Sequence, residues 1–157
     1  MLKTRLTERF GLSRPIVPAA PAGGAPDGRL AAAVHPAGGL GLFGGIHPGG
    51  PEWAREQIRF ARSHTNGRFG VGFITEQLPR YADSFRVCVE ERIPIFAFSC
   101  GDPTPYVAQA KATGATVICQ VQTPEGARLA LSLGADVLVA QGNEAGGHTG
   151  GLGALPF

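Results

Sequence analysis

Charge is scarce in this sequence. Asp, Glu, Lys and Arg make up 17% of the 157 residues, where soluble domains average about 25%. The 14 basic and 12 acidic side chains leave a formal net charge of only +2. No basic run is present to follow a phosphate backbone, so nucleic acid is not expected as a partner. Cysteine is sparse too. Cys88, Cys100 and Cys119 are odd in number and form neither a CxxC pair nor a Cys/His ligand spacing. That argues against a disulfide framework and a zinc site, and leaves buried or half-buried thiols in a reducing, cytoplasmic setting. The N-terminal stretch MLKTRLTERFGL lacks an apolar core of signal-peptide length, so no export signal is expected. No run reaches about 18 consecutive apolar residues, so no membrane span is expected either.

Glycine (24) and proline (13) are plentiful in a chain that is 43% hydrophobic. They separate the apolar runs rather than fill them, which points to one folded domain over residues 1–157. The runs recur with a rhythm: residues 16–20, 40–44, 70–74, 94–99, 116–121 and 136–140. Their spacing is that of one strand, one helix and two loops. Between them lie helix signals. Asp27 can cap an Ala-rich segment, Pro51-Glu52 opens another, and Thr123-Pro124-Glu125 a third. Helices are also expected over residues 81–92 and 103–113. The strands are continuous apolar runs with no polar face, as in a parallel sheet covered by helices.

Two segments echo each other. In residues 114–120 and 134–141 a Gly-Ala pair leads into a strand, and a glutamine, Gln120 or Gln141, emerges at its C-terminal end. Repeated βα units with polar groups at that end belong to a (β/α) barrel or a doubly wound sheet. Six units are expected, where a closed (β/α)8 barrel needs eight. The chain reads as an incomplete TIM barrel whose unpaired sheet edges favour self-association.

The densest chemistry lies in Gln141-Gly142-Asn143-Glu144-Ala145-Gly146-Gly147-His148-Thr149-Gly150-Gly151. A strand that hands over to so many glycines builds a surface where backbone approaches a ligand, and His148 supplies an ionisable imidazole there. Glu144 and His148 could pair on a metal, but no third ligand stands at a recognisable spacing, so no metal is expected. Gly39-x-Gly41-x-x-Gly44 formally matches a dinucleotide fingerprint. Its glycines lie before and through a strand, however, which is the wrong context. Gly70 and Gly72 inside a strand mark either a ligand's close approach or tight packing. The small-residue loop after residue 18, with Ala20, Pro21 and Ala22, could lie against an aromatic ring system. His47 stands in a loop on the same face, a candidate for substrate contact. His35 and His64, at helix ends, are expected to be solvated.

Taken together, these stretches resemble the nitronate monooxygenase family, formerly the 2-nitropropane dioxygenases. The carrying pieces are PIVPAAPAGG, LAAAVHPAGGLGLFGG, FGVGFIT, FSCGDPTPY, GATVICQVQTPEGARLALSLGADVLVAQG and NEAGGHTGG, in the family's order. The resemblance implies an FMN-binding (β/α)8 barrel that oxidises alkyl nitronates with molecular oxygen. It implies His148 as the catalytic histidine, Gln141 and Gly146 as FMN contacts, and the loop of Ala20, Pro21 and Ala22 near the flavin ring. Gly72, Gln120 and Gly147 complete the expected cofactor set. Many members have Pro-Met where this chain has Ala20-Pro21, and some have asparagine in place of Gly72. A related branch of the same fold reduces enoyl thioesters, and a non-catalytic barrel fragment is a third reading. The family's last two strands, which grip the FMN phosphate, have no counterpart in this sequence.

Overall fold

Local chemistry fixes where the helices start. In the computed structural model, which describes residues 2–20, 27–66 and 68–156, Thr4 caps α1 (Arg5–Phe10) by accepting from the Thr7 amide at 3.1 Å. Asp27 caps α2 (Gly28–Val34), accepting from the amides of Arg29 and Leu30 at 2.9 and 3.0 Å. Pro51 sits in the first turn of α3 (Gly50–Thr65), where its missing N–H costs nothing. Thr123 caps α6 (Pro124–Ser132) through the Gly126 amide at 3.0 Å. The remaining helices are α4 (Ala82–Glu90) and α5 (Thr104–Ala112). A 3-10 helix, Thr75–Tyr81, precedes α4. Neither it nor α1 stands out in the sequence: one contains Pro79 and the other is too short for a periodic apolar pattern.

Five strands form one sheet: β1 (Gly41–Gly44), β2 (Phe69–Ile74), β3 (Ile95–Ser99), β4 (Thr116–Val121) and β5 (Val137–Ala140). All neighbours are parallel and the spatial order is the chain order, β1-β2-β3-β4-β5. A doubly wound sheet reverses its order at a switch point. A sheet that never reverses, with its crossover helices packed on one side, is part of a (β/α)8 barrel wall. The fold is therefore α/β of the incomplete TIM-barrel type.

One expected strand does not form. Residues 16–20 are described without ladder pairing, so five strands are seen where six were expected. The segment meets β1's approach through a single bond, the Leu40 amide donating to the Ile16 carbonyl at 3.0 Å. Pro15 and Pro18 remove two of the donors a strand there would need.

The sheet has two different faces. The outer face carries Phe43, Phe69, Val71, Phe73, Phe96, Phe98, Val117 and Cys119. They pack against Ala54 and Ile58 of α3, Phe85 and Cys88 of α4, Val107 of α5 and Ala130 of α6. The inner face carries Leu42, Gly70, Gly72, Ile95, Ala97, Ile118 and Gln120, in register across neighbouring strands. Leu40, Leu42, Ile95 and Ile118 close the lower half of that face with Leu12, against Leu6 and Phe10 of α1. No helix among the described residues is long and apolar enough to cross a membrane.

Candidate active site

The site follows from side-chain size on the inner face. Gly72 of β2 and Ala97 of β3 are neighbours in register, and Ile118 of β4 lies beside Ala97. The small Ala97 side chain at the centre of this row leaves a cleft of about 960 Å³ above the α1 plug, while the space beside Gly72 is taken by Ala20. Its floor includes Leu42, Gly72, Ala97 and Ile118; Val17 and Ala20 wall one side, and residues 139–142 and 144–147 the other. The cleft sits at the C-terminal ends of the strands, where barrel folds place their chemistry.

Polar groups converge on one wall. The Gln120 Nε2 donates to Gln141 Oε1 at 2.7 Å, and the Gln122 Nε2 donates to the same oxygen at 2.6 Å. Gln122 also donates to the His148 carbonyl at 2.8 Å. Gln141 in turn directs its Nε2 toward the Gly146 carbonyl at 3.4 Å. Three glutamines from the ends of β4 and β5 thus tie down the glycine-rich loop. Glu144 secures its far side, its carboxylate accepting from the Ala154 amide at 3.0 and 3.1 Å. Its own backbone N–H, then that of Ala154, hold the Glu144 carboxyl below the ordinary value. A side chain on Gly142 would overlap the Glu144 carboxylate and the Ala154 backbone, so only glycine fits there.

The structure brings together most of the residues singled out from the sequence. Ala20, Gly72, Gln120, Gln141, Gly146 and Gly147 all line the cleft. His148 follows directly on the same loop; its side chain is exposed and its backbone carbonyl is held by Gln122. Pro21 and Ala22 lie outside the described residues. His47 is stacked on Trp53, with ring centroids 4.3 Å apart, and its Nδ1 accepts from the Gly49 amide. It does not line the cleft. His64 is exposed and His35 half-buried.

The glycines of residues 39–45 serve packing. A side chain on Gly41 would overlap the Ala31 carbonyl of α2, and one on Gly45 the Phe73 ring. Gly72 meets Ala20 in the same way. Gln122 is the site residue that sequence reasoning passed over. The signal was there: Gln120 and Gln122 stand two apart at a strand end, and so share a face. A smaller cavity of about 180 Å³ lies between the loops after β3 and β4, lined by Ser99, Cys100, Cys119 and Gln122 among others.

Comparison with known proteins agrees with this geometry. A "(3aS,4S,5R,7aS)-5-hydroxy-7a-methyl-1-oxo-octahydro-1H-indene-4-carboxyl-CoA dehydrogenase" of Mycobacterium tuberculosis is 32% identical over 149 residues, covering 95% of this chain and 41% of that protein. A nitronate monooxygenase of Pseudomonas aeruginosa is 32% identical over 185 residues, covering 93% of this chain and 52% of that protein. The solved structure of FabK from Thermotoga maritima superposes with a TM-score of 0.86 at 36% identity, covering 98% of this chain and 48% of that one. The chain spans about half the length, or less, of these relatives. The nitronate monooxygenase family model matches residues 74–155, more than half of the sequence and including β3, β4, β5 and the histidine loop, and the chain belongs to that family.

Proposed function

We propose that this chain carries the flavin face of an FMN-dependent oxidase of alkyl nitronates that uses molecular oxygen. The observation that carries the reading is the cleft itself. It has an apolar floor of Gly72, Ala97 and Ile118 beside a polar wall of Gln120, Gln141 and the Gly146-Gly147 backbone. An isoalloxazine ring has that character, with wide apolar faces and a polar edge. The volume of about 960 Å³ also lies in the range of cofactor and small-molecule sites, roughly 300–1,000 Å³. The residues present therefore fit the group.

In this reading Ala20, seated over Gly72, meets the ring by contact. Gln141 and the backbone at Gly146 and Gly147 hold its polar edge. When bound, FMN supplies the redox chemistry, which no side chain here can provide. The protein's part is orientation and proton handling. A nitronate is an anion whose nitroalkane parent carries a weakly acidic proton on the α-carbon. Neutral His148 can take that proton at its free ring nitrogen; protonated, it can hold the anion by a charged hydrogen bond. His148 is exposed and follows Gly147, the last residue of this loop to line the cleft, which suits a group that meets substrate from solvent.

A second reading is favoured by one observation: the Mycobacterium tuberculosis relative is named for a CoA thioester substrate. In that reading the same cleft serves an enoyl-thioester reductase fed by a nicotinamide donor. Anaerobic mixing separates the two. The FMN-loaded protein is expected to lose its flavin absorbance near 450 nm on adding a nitronate. Bleaching by a reduced nicotinamide alone, with none by nitronates, would replace the first reading by the second.

A further inference from the structure

The three glutamines share one oxygen, and that fixes their polarity. The His148 carbonyl is backbone and can only accept a hydrogen bond. The Gln122 amide atom 2.8 Å from it must therefore be the nitrogen. That same nitrogen lies 2.6 Å from a Gln141 amide atom, which must be oxygen. Gln120 donates to this oxygen as well, at 2.7 Å, so both acceptor positions of Gln141 Oε1 are taken. The Gln141 nitrogen is left facing Gly146, whose carbonyl again only accepts. Two backbone carbonyls, at His148 and Gly146, thus impose one orientation on the whole chain of amides.

We propose that Gln122 is a positioning residue for this site. Its amide nitrogen bridges Gln141 and the His148 backbone, turns Gln141 so that the N–H not directed at the Gly146 carbonyl is left for the cleft, and holds the histidine loop against the end of β4. Gln122 itself does not line the main cleft; it acts through Gln141 and His148. The ligand edge that meets Gln141 must then present an acceptor. That last consequence rests on the FMN reading above, whereas the hydrogen-bond argument stands on the geometry alone.

Gln122→Glu tests this in the full chain, because it keeps size and shape while removing the donor. At pH 7 its carboxylate faces two acceptor oxygens. Amide hydrogen exchange at Asn143 and Ala145, whose N–H groups donate to the Leu152 and Gly142 carbonyls, is expected to speed up by about tenfold or more, the equivalent of losing roughly 1.4 kcal/mol of local protection. The FMN dissociation constant, read by quenching of flavin fluorescence, is expected to rise by a similar factor. Below about pH 4.3 the carboxyl gains a proton and can donate once. The exchange difference from the parent at the same pH should then shrink, a recovery that a packing defect would not show. Gln122→Ala is the second variant, should Gln122→Glu fail to fold by circular dichroism, and is expected to show the same faster exchange. Parent-like exchange at Asn143 and Ala145 in whichever variant folds overturns the proposal. If the parent itself takes up no FMN, the flavin reading fails while the exchange data still decide the role of Gln122.

Discussion

Gly72 of β2 lies directly against Ala20, so closely that a Cβ at position 72 would overlap the Ala20 methyl group. The absent side chain lets the segment after Pro18 lie over the strand and wall the cleft. Gly72→Ala should therefore destabilise the fold by about 1–3 kcal/mol, the usual range for overpacking. Ala20→Gly opens the matching space, so the double variant should recover most of the loss. Urea denaturation of the four proteins in a double-mutant cycle measures the coupling. Additive losses would mean that the two residues do not meet.

His148 makes no side-chain hydrogen bond among the described residues, and its imidazole is exposed. Removing it should spare both the fold and flavin retention. On the flavin reading proposed above, His148→Ala in a full-length version is expected to keep its flavin absorbance after gel filtration and to slow nitronate turnover by about 10²–10⁴-fold, the usual weight of a positioned acid–base group. Oxygen uptake with a nitronate gives the rate. Unchanged turnover would remove His148 from the mechanism.

Asp136 joins three elements at the lower end of the sheet. One carboxylate oxygen accepts from the Val117 amide of β4 and from Lys111 Nζ, both at 2.8 Å; the other meets Arg9 Nη2 of α1 at 2.8 Å. Burial raises its pKa, but the Lys111 hydrogen bond, the Val117 N–H and the two cationic charges outweigh burial and lower it. A carboxyl whose folded pKa is depressed gives its full stabilisation above its unfolded value, about 3.9. That stabilisation fades as pH falls through the folded value. At pH 7, Asp136→Asn should cost about 1–2 kcal/mol, since its charged partners are half-exposed. The gap between parent and variant should narrow below about pH 4. Denaturation midpoints taken from pH 7 to pH 2 would show the convergence; a constant gap would count against the charge-based account.

The three thiols should react in a fixed order. Cys100 is half-buried, and burial raises its pKa, with Ser99 lowering it and Glu76 raising it. Cys119 is buried and its thiol is pushed up to about 11 by burial. Cys88, sealed beneath α4, is pushed up further by burial, then by the Glu91 charge. The thiolate is the reactive form, so iodoacetamide at pH 8 should label Cys100 first, Cys119 slowly and Cys88 only after denaturation. Peptide mapping by mass spectrometry gives the order. Early labelling of Cys88 would contradict the packing of α4 on the sheet.

Much of the architecture was legible because its signals are local. The caps Asp27 and Thr123 and the N-terminal Pro51 announce their helices through the backbone amides they satisfy or replace. The apolar runs of β1 to β5 announce strands because their few polar residues, Ser99, Thr116 and Gln120, stand at or next to a strand end. Residues 16–20 misled because their apolar character was weighed without the donors lost at Pro15 and Pro18. The loop of Gln141, Gly146, Gly147 and His148 was legible as a candidate because its residue types are concentrated in one stretch, and the structure places Gln141, Gly146 and Gly147 on the cleft.

What the sequence determined by itself was therefore the kind and order of β1 to β5 and of α2 to α6, and the residue types at the strand ends. Tertiary structure alone decided which side of each strand became the cleft. Ile-Phe-Ala-Phe reads as one apolar run, yet parallel pairing turns Phe96 and Phe98 outward to the helices and Ala97 inward beside Gly72. Alternation in size, not polarity, opened the cleft, and size has this meaning only once neighbouring strands are in register. The same holds for the glutamines. Gln120 and Gln122 are 19 to 21 positions from Gln141 in the chain, and only the pairing of β4 with β5 brings their amides onto one oxygen.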